Sequence, residues 1–227
     1  MSALQRFVAT FLDPDVATRY APQIFYGLLV TFAIGLAVVV TGLGVGLLLA
    51  VLRAFGFRVV NAVLIQIVDM LRALPPLVII LIIYFGLPNV GIVIPSALVL
   101  WMSLSAVLAA FAEEVYWAGI TSIPAGQWMA ARSTGLTFVQ TLRFVVLPQA
   151  LRLAIPPLTN RTIAITKNTA LGSAIGVNEI LGQSISAEAF SGNATPLTMA
   201  AILYVLLFIP LVVASRSLEL RYGRGAR

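Results

Sequence analysis

Lys167 is the chain's one lysine, and with Asn160, Arg161 and Asn168 it interrupts a stretch, 154–177, that is otherwise mostly apolar. A charge inside an apolar helix is costly, and a cation in low dielectric pairs strongly with a carboxylate. On a helix Asn160, Ala164, Lys167, Leu171 and Ala174 share one face, while Arg161, Asn168 and Gly172 share the neighbouring one. Two uses of these cations remain open. They can receive an anionic group of a solute, or they can close an internal ion pair or snorkel to the helix end. Arg161, nearer the helix end, fits the second use, and Lys167 fits either. A second polar cluster, Glu113 and Glu114 with Tyr116 and Trp117, closes another apolar run. It reads as an interfacial belt, or as a place where Glu114 holds a partner or solute.

Other chemistries are excluded by composition. With no cysteine and no histidine, thiol nucleophiles, disulfides, the usual zinc clusters and imidazole bases are absent. A phosphate-cradling loop needs a lysine after glycine, yet Lys167 follows Thr166. Gly42, Gly44 and Gly46 sit in an uncharged run and read as close helix packing. An intramembrane hydrolase would need Ser103 or Ser105 to meet Lys167, or paired aspartates, and Asp69 is the one aspartate within a helical segment near a membrane face. The chain is therefore not expected to be an enzyme with its own nucleotide site, to hold a metal or to carry a cofactor.

The elements that must position these residues are membrane helices. Apolar residues are 60% of 227, charged residues 10%, and mean hydropathy is +1.04; a soluble domain is about half apolar and a quarter charged. The fold class is all-α and integral to a membrane, with about five spans, near 24–52, 62–85, 92–118, 154–177 and 197–214. The second is expected to kink at Pro75-Pro76. Residues 1–23, broken by Pro14 and Pro22, precede the spans as a polar segment that is no cleavable signal peptide; 24–215 form the transmembrane domain and 216–227 a basic tail. The net charge of +6 comes from basic residues spread singly, which argues against nucleic acid. Arg53, Arg58, Arg132, Arg143, Arg152 and the tail arginines fall on one side of five spans, while the loops around Asn89 and 179–188 carry no Lys or Arg. The positive-inside rule makes the first set cytoplasmic, with residues 1–23 outside.

Between the third and fourth spans lies a polar, basic loop, about 120–152. Gln127 to Leu136 reads as a short helix ended by Gly135, and Phe138 to Val146 as a second, amphipathic one stopped by Pro148. Such an element can be a plain cytoplasmic loop, lie on the membrane surface, or dock in a groove of a partner.

The spacing Ala130-Ala131, three residues, Gly135, nine residues, Val145-Val146-Leu147-Pro148 resembles the cytoplasmic EAA loop of permease subunits of ATP-binding-cassette importers, and more narrowly their polar amino acid uptake branch. Leu71-Arg72-Ala73-Leu74-Pro75, Tyr84-Phe85-Gly86-Leu87-Pro88, Thr166 to Leu171 and Ile175-Gly176-Val177 extend the resemblance from Gly27 to Arg221. It implies a type I importer permease that moves a polar amino acid across the bacterial inner membrane by alternating access. It also implies a cytoplasmic ATPase dimer holding ATP and Mg, a second permease subunit and an external binding protein. Met129, Ala130, Ala131, Arg132, Gly135, Leu147 and Pro148 would couple to the ATPase; Asn160, Lys167, Asn168 and Glu114 are the substrate candidates. Two residues depart from the pattern. Met129 stands where the loop has its glutamate, and after the third span Ala112-Glu113-Glu114-Val115-Tyr116-Trp117-Ala118-Gly119 puts an aromatic for an arginine. Both fit one half of a heterodimer. The reading from another class is a passive channel subunit, which would have no use for such a loop.

Overall fold

The computed structural model describes residues 2–222, with side chains as far as Ser217. The end of the expected basic tail, residues 223–227 with Arg224 and Arg227, and the side chain of Arg221 lie outside the described residues. Among the described residues every regular element is helical: α1 Ala3–Phe11, α2 Pro14–Ala54, α3 Arg58–Ala73, α4 Pro76–Gly86, α5 Ser96–Ser122, α6 Ala125–Ser133, α7 Phe138–Thr141, α8 Leu147–Lys167, α9 Ile180–Ser191 and α10 Thr195–Tyr222. A π turn, Leu142–Val146, joins α7 to α8, and 3-10 segments cover Leu87–Val90 and Asn168–Ile175. Four helical stretches are long and apolar enough to cross a membrane: Ala3–Ala54, Ser96–Ser122, Phe138–Ile175 and Thr195–Ser217. Counting the broken pair Arg58–Ala73 and Pro76–Val90 as one span gives up to five.

The helix bounds depart from the sequence expectations in four places, each with a local cause. Residues 1–23 are not a broken polar segment. Pro14 opens α2, where Asp13 Oδ1 accepts from the N–H groups of Asp15 at 2.9 Å and Val16 at 3.2 Å, and Pro22 costs one bond in a 41-residue ladder without ending it. The expected second span is broken rather than kinked. Leu74, crowded by the ring that follows, is extended (φ −86°, ψ 137°), as is Pro75 (φ −59°, ψ 134°). Pro148 does not stop its helix. The preceding turn widens so that Leu147 N–H reaches Leu142 O, and Gln149 Nε2 donates to Val145 O at 2.7 Å. The ring thus gains room that a tight α turn denies it. Finally, 179–188 is not plain loop but most of α9, capped by the Glu179 carboxylate on Leu181 and Gly182 N–H.

The chain divides into two compact units, residues 1–38, 75–104 and 165–211, and residues 39–74, 105–164 and 212–227. In the first, Ile24, Ile180 and Ala200 form a core backed by Tyr20, Leu28, Met199 and Leu203. Thr31 Oγ1 accepts from Ile180 N–H at 3.1 Å and donates to Gly27 O at 2.9 Å, pinning the start of α9 to α2. In the second unit the core runs through Ala50, Ala112, Tyr116, Ile120, Ile123, Leu142, Val146 and Ala150. There α2 and α5 approach through the glycine pair read from the sequence. A Cβ on Gly46 would lie 2.6 Å from Ala112 Cβ and 2.8 Å from Ala109 O, and one on Gly42 2.8 Å from Leu108. Gly44, on another face, would meet nothing within 4 Å. Thr41 and Ser105 hydroxyls bond across the same seam at 2.7 Å.

Candidate functional site

The loop expected to couple is built in the second unit as one short helix on an aromatic support. Pro124 precedes α6 in extended conformation (ψ 138°), a preset start for a helix rich in alanine. The helix ends because Gly135 takes φ +91°, with its N–H on Arg132 O at 3.1 Å; a side chain there would be strained. Thr137 and Gln140 then form a capping box that starts α7 (2.8 and 3.3 Å). Trp128 stacks on Phe138 with centroids 5.6 Å apart, and Phe138 meets Phe55 at 5.6 Å, in the turn after α2. Beneath lie Ile123, Leu142 and Val146 of the core. Of the coupling residues read from sequence, Ala131 is buried and Leu147 packs against that core, whereas Ala130, Arg132 and Pro148 are exposed. Met129 is 64% exposed, and Val139 at 53% and Phe144 at 62% are likewise uncovered by this chain. The element therefore presents an apolar, weakly basic surface on a stiff base.

Two charged clusters in the same unit join helices. Arg53 Nη1 donates to both Glu113 oxygens at 3.0 and 3.3 Å, and Glu113 is fully buried. The same guanidinium lies 4.6 Å from the centroid of Trp117. The aromatic that replaces an arginine in the sequence pattern thus serves as the platform for Arg53, a partner the sequence reading missed. Arg53 and Glu113 lie 60 residues apart, so the pair gave no local signal. Glu114, a substrate candidate, pairs with Arg72 instead, which also donates to Asp69 Oδ1 at 3.2 Å. Phe111 lies beneath both Arg72 (5.6 Å) and Arg161 (4.6 Å). Arg161 accordingly stands on an aromatic ring. Asn160 lies exposed on the same helix.

Lys167 and Asn168 belong to the first unit. The Lys167 ammonium stands 5.8 Å from the Phe208 ring on α10, and its side chain is exposed. The expected face joining Lys167 to Leu171 and Ala174 does not form. From Asn168 the backbone tightens to three residues per turn, so Asn168, Leu171 and Ala174 come into line instead. That segment ends at Gly176, φ +74°, and is followed by Glu179, fully buried, whose carboxylate accepts from Tyr204 Oη and Gly182 N–H at 2.6 Å and from Leu181 N–H at 3.0 Å. Burial pushes its carboxyl above the usual range, and these three bonds oppose the shift. The serine–lysine alternative loses its nucleophile: Ser103 is 1% exposed, without a hydrogen-bond partner among the described residues, and Ser105 is engaged by Thr41.

Residues 42–224 match the family described as the binding-protein-dependent transport system inner membrane component. The "Probable glutamine ABC transporter permease protein GlnP" of Bacillus subtilis is 33% identical over 199 residues, 86% of this chain and 91% of that protein. The "Arginine ABC transporter permease protein ArtQ" of Haemophilus influenzae is 31% identical over 214 residues, 89% and 95% of the two chains. A solved structure titled "Crystal structure of an amino acid ABC transporter with histidines" superposes with a TM-score of 0.79 at 29% identity, covering 91% of this chain and 96% of that one. The membrane helices, the loop with its Ala-Ala, Gly and Val-Val-Leu-Pro elements and these matches together place the chain in the family of binding-protein-dependent transport system inner membrane components, the permeases of ATP-binding-cassette importers.

Proposed function

We propose that this permease carries a polar amino acid inward across the bacterial cytoplasmic membrane, driven by a separate ATPase that docks on α6. The observation that carries the reading is the exposed apolar surface of this loop: Met129, Val139 and Phe144 stand uncovered beside the aromatic base of Trp128, Phe138 and Phe55. Coupling of this kind needs stiffness more than charge. Met129 is consistent with that: docking here would rest on exposed apolar area and backbone. The relatives named for glutamine and arginine transport support an amino acid as cargo. ATP and Mg would be held by the ATPase, not by this chain.

In this reading Met129, Ala130, Arg132 and Pro148 face the ATPase, Ala131, Gly135 and Leu147 shape the base, and Lys167 with Asn168 meets the α-carboxylate. Asn160 is a further polar contact on the same helix, and Glu114, paired with Arg72, is left out of this reading. The segment before α2 lies outside and the tail inside. The binding protein delivers substrate, and the functional pair combines this chain with a second permease that keeps the loop glutamate.

The test is uptake of labelled glutamine, arginine and other amino acids into vesicles holding the full complex with its binding protein. ATP-dependent accumulation of at least one is expected; flux that persists without ATP or the ATPase would return the passive-channel reading. A stable, active complex of this chain and the ATPase without a second permease would overturn the heterodimer.

A further inference from the structure

We infer that α3, expected from sequence as the first half of a span, lies along the membrane boundary at which α2 ends, and that phospholipid of that leaflet covers its apolar stripe. Contacts within the second unit set its direction. Asn61 Nδ2, in the first turn of α3, donates to Arg53 O in the last turn of α2 at 3.0 Å. Arg72, in the last turn of α3, pairs with Glu114 on α5, whose neighbour Glu113 is held by the same Arg53. Between these ties Leu64 and Val68 pack with Leu49 and Ala110. Both ends of α3 thus meet one level of α2 and α5, although its 16 residues extend about 24 Å. A helix running alongside those two would carry its ends to levels that far apart, so α3 runs across them. The chain then bends by 102° ahead of α4.

The residues of α3 sort to suit that position. At 3.6 residues per turn Val59, Val60, Val63, Ile67 and Met70 form a stripe beside the buried Leu64 and Val68, while Arg58, Asn61, Gln66, Asp69 and Arg72 fall on the rest of the circumference. The stripe is bare: Val59 is 78% exposed, Val63 55% and Met70 53%. A helix so divided is the kind that lies about 5–10 Å into the headgroup–acyl boundary. The sequence of α4, apolar almost throughout, has no such division.

Phospholipid is the occupant that fits. A groove of about 400 Å³ opens along the stripe, and every residue lining it, from Leu49 and Leu52 of α2 to Val60, Val63 and Ile67 of α3, is leucine, isoleucine or valine. Next to Val59, which also lines it, stands Arg58, exposed and without an ion pair among the described residues. An apolar slot with a cation beside it suits an acyl chain and the phosphate that heads it. A protein partner would have to bring Arg58 an acid together with apolar side chains, whereas phospholipid carries both groups in one molecule.

The chain has no cysteine, so single nitroxide labels can be placed at Val63→Cys on the stripe and at its neighbour Ala62→Cys on the polar side, in the complete transporter reconstituted in phosphatidylethanolamine–phosphatidylglycerol vesicles. Collision with oxygen is expected to be severalfold greater at position 63 than at 62, and collision with a water-soluble nickel chelate severalfold smaller. High oxygen and low nickel access at both positions would sink α3 in hydrocarbon as part of an ordinary span and overturn the proposal. High nickel access at both would place it in water and do the same. Shielding of position 63 from both reagents would overturn it in favour of a protein partner. Should Val63→Cys fail to assemble, Ile67→Cys compared with Gln66→Cys, one turn on, gives the same reading.

Discussion

At the scale of single residues, the charges inside this apolar chain divide into those paired within it and those proposed to meet a ligand. Arg53 and Glu113 belong to the first kind. Removing one member of a buried pair strands the other's charge, at a cost of about 3–5 kcal/mol. Glu113→Ala should therefore lower the melting temperature of the purified complex sharply, and an apolar replacement of both residues should recover most of it. Lys167 has the Phe208 ring as its near neighbour and is the cation proposed here to meet substrate. Lys167→Ala is expected to reduce substrate-stimulated transport while size-exclusion profiles of the complex stay unchanged. Unchanged transport at saturating binding protein would count against a substrate contact. The type and position of Lys167 were legible because a lone lysine in an apolar run stands out. The pairing of Glu114 with Arg72 was not, since the two lie far apart in sequence.

At the scale of elements, two glycines do different work. Gly135 ends α6 in a left-handed turn that costs a β-branched residue about 1–2 kcal/mol. Gly135→Val should misplace α6 on its aromatic base and leave ATPase activity running without matching uptake in vesicles; wild-type coupling would refute this. Gly46 has no space for a side chain against Ala112, so Gly46→Leu should abolish recovery of folded complex, while Gly44→Ala on the open face should leave it intact. The first of these positions was readable as a turn signal. The second was readable only as a pattern of small residues, and its partner helix came from packing. The reading of Pro148 as a stop failed for a physical reason: a π turn relieves the ring clash, and no residue pattern announces a π turn.

At the scale of the whole molecule, the arginine distribution predicts which loops face the cytoplasm. A cysteine placed at Asn89 should react with a membrane-impermeant maleimide added outside intact cells, and one placed at Ser133 should react only after permeabilisation. The opposite pattern would invert the orientation and with it the side on which an ATPase could meet α6.

Composition and hydropathy by themselves determined that the chain is helical and membrane-embedded, because hydrocarbon admits few other solutions for a backbone. The loop's spacing carried its family resemblance, because a turn glycine and a proline at fixed intervals are local demands that local sequence must meet. What only the tertiary structure decided was which polar groups are spent. Arg53 on Glu113 and Trp117, Arg72 on Glu114, and Glu179 on Tyr204 join residues distant in sequence. Their pairing follows from helix packing, which periodicity does not encode.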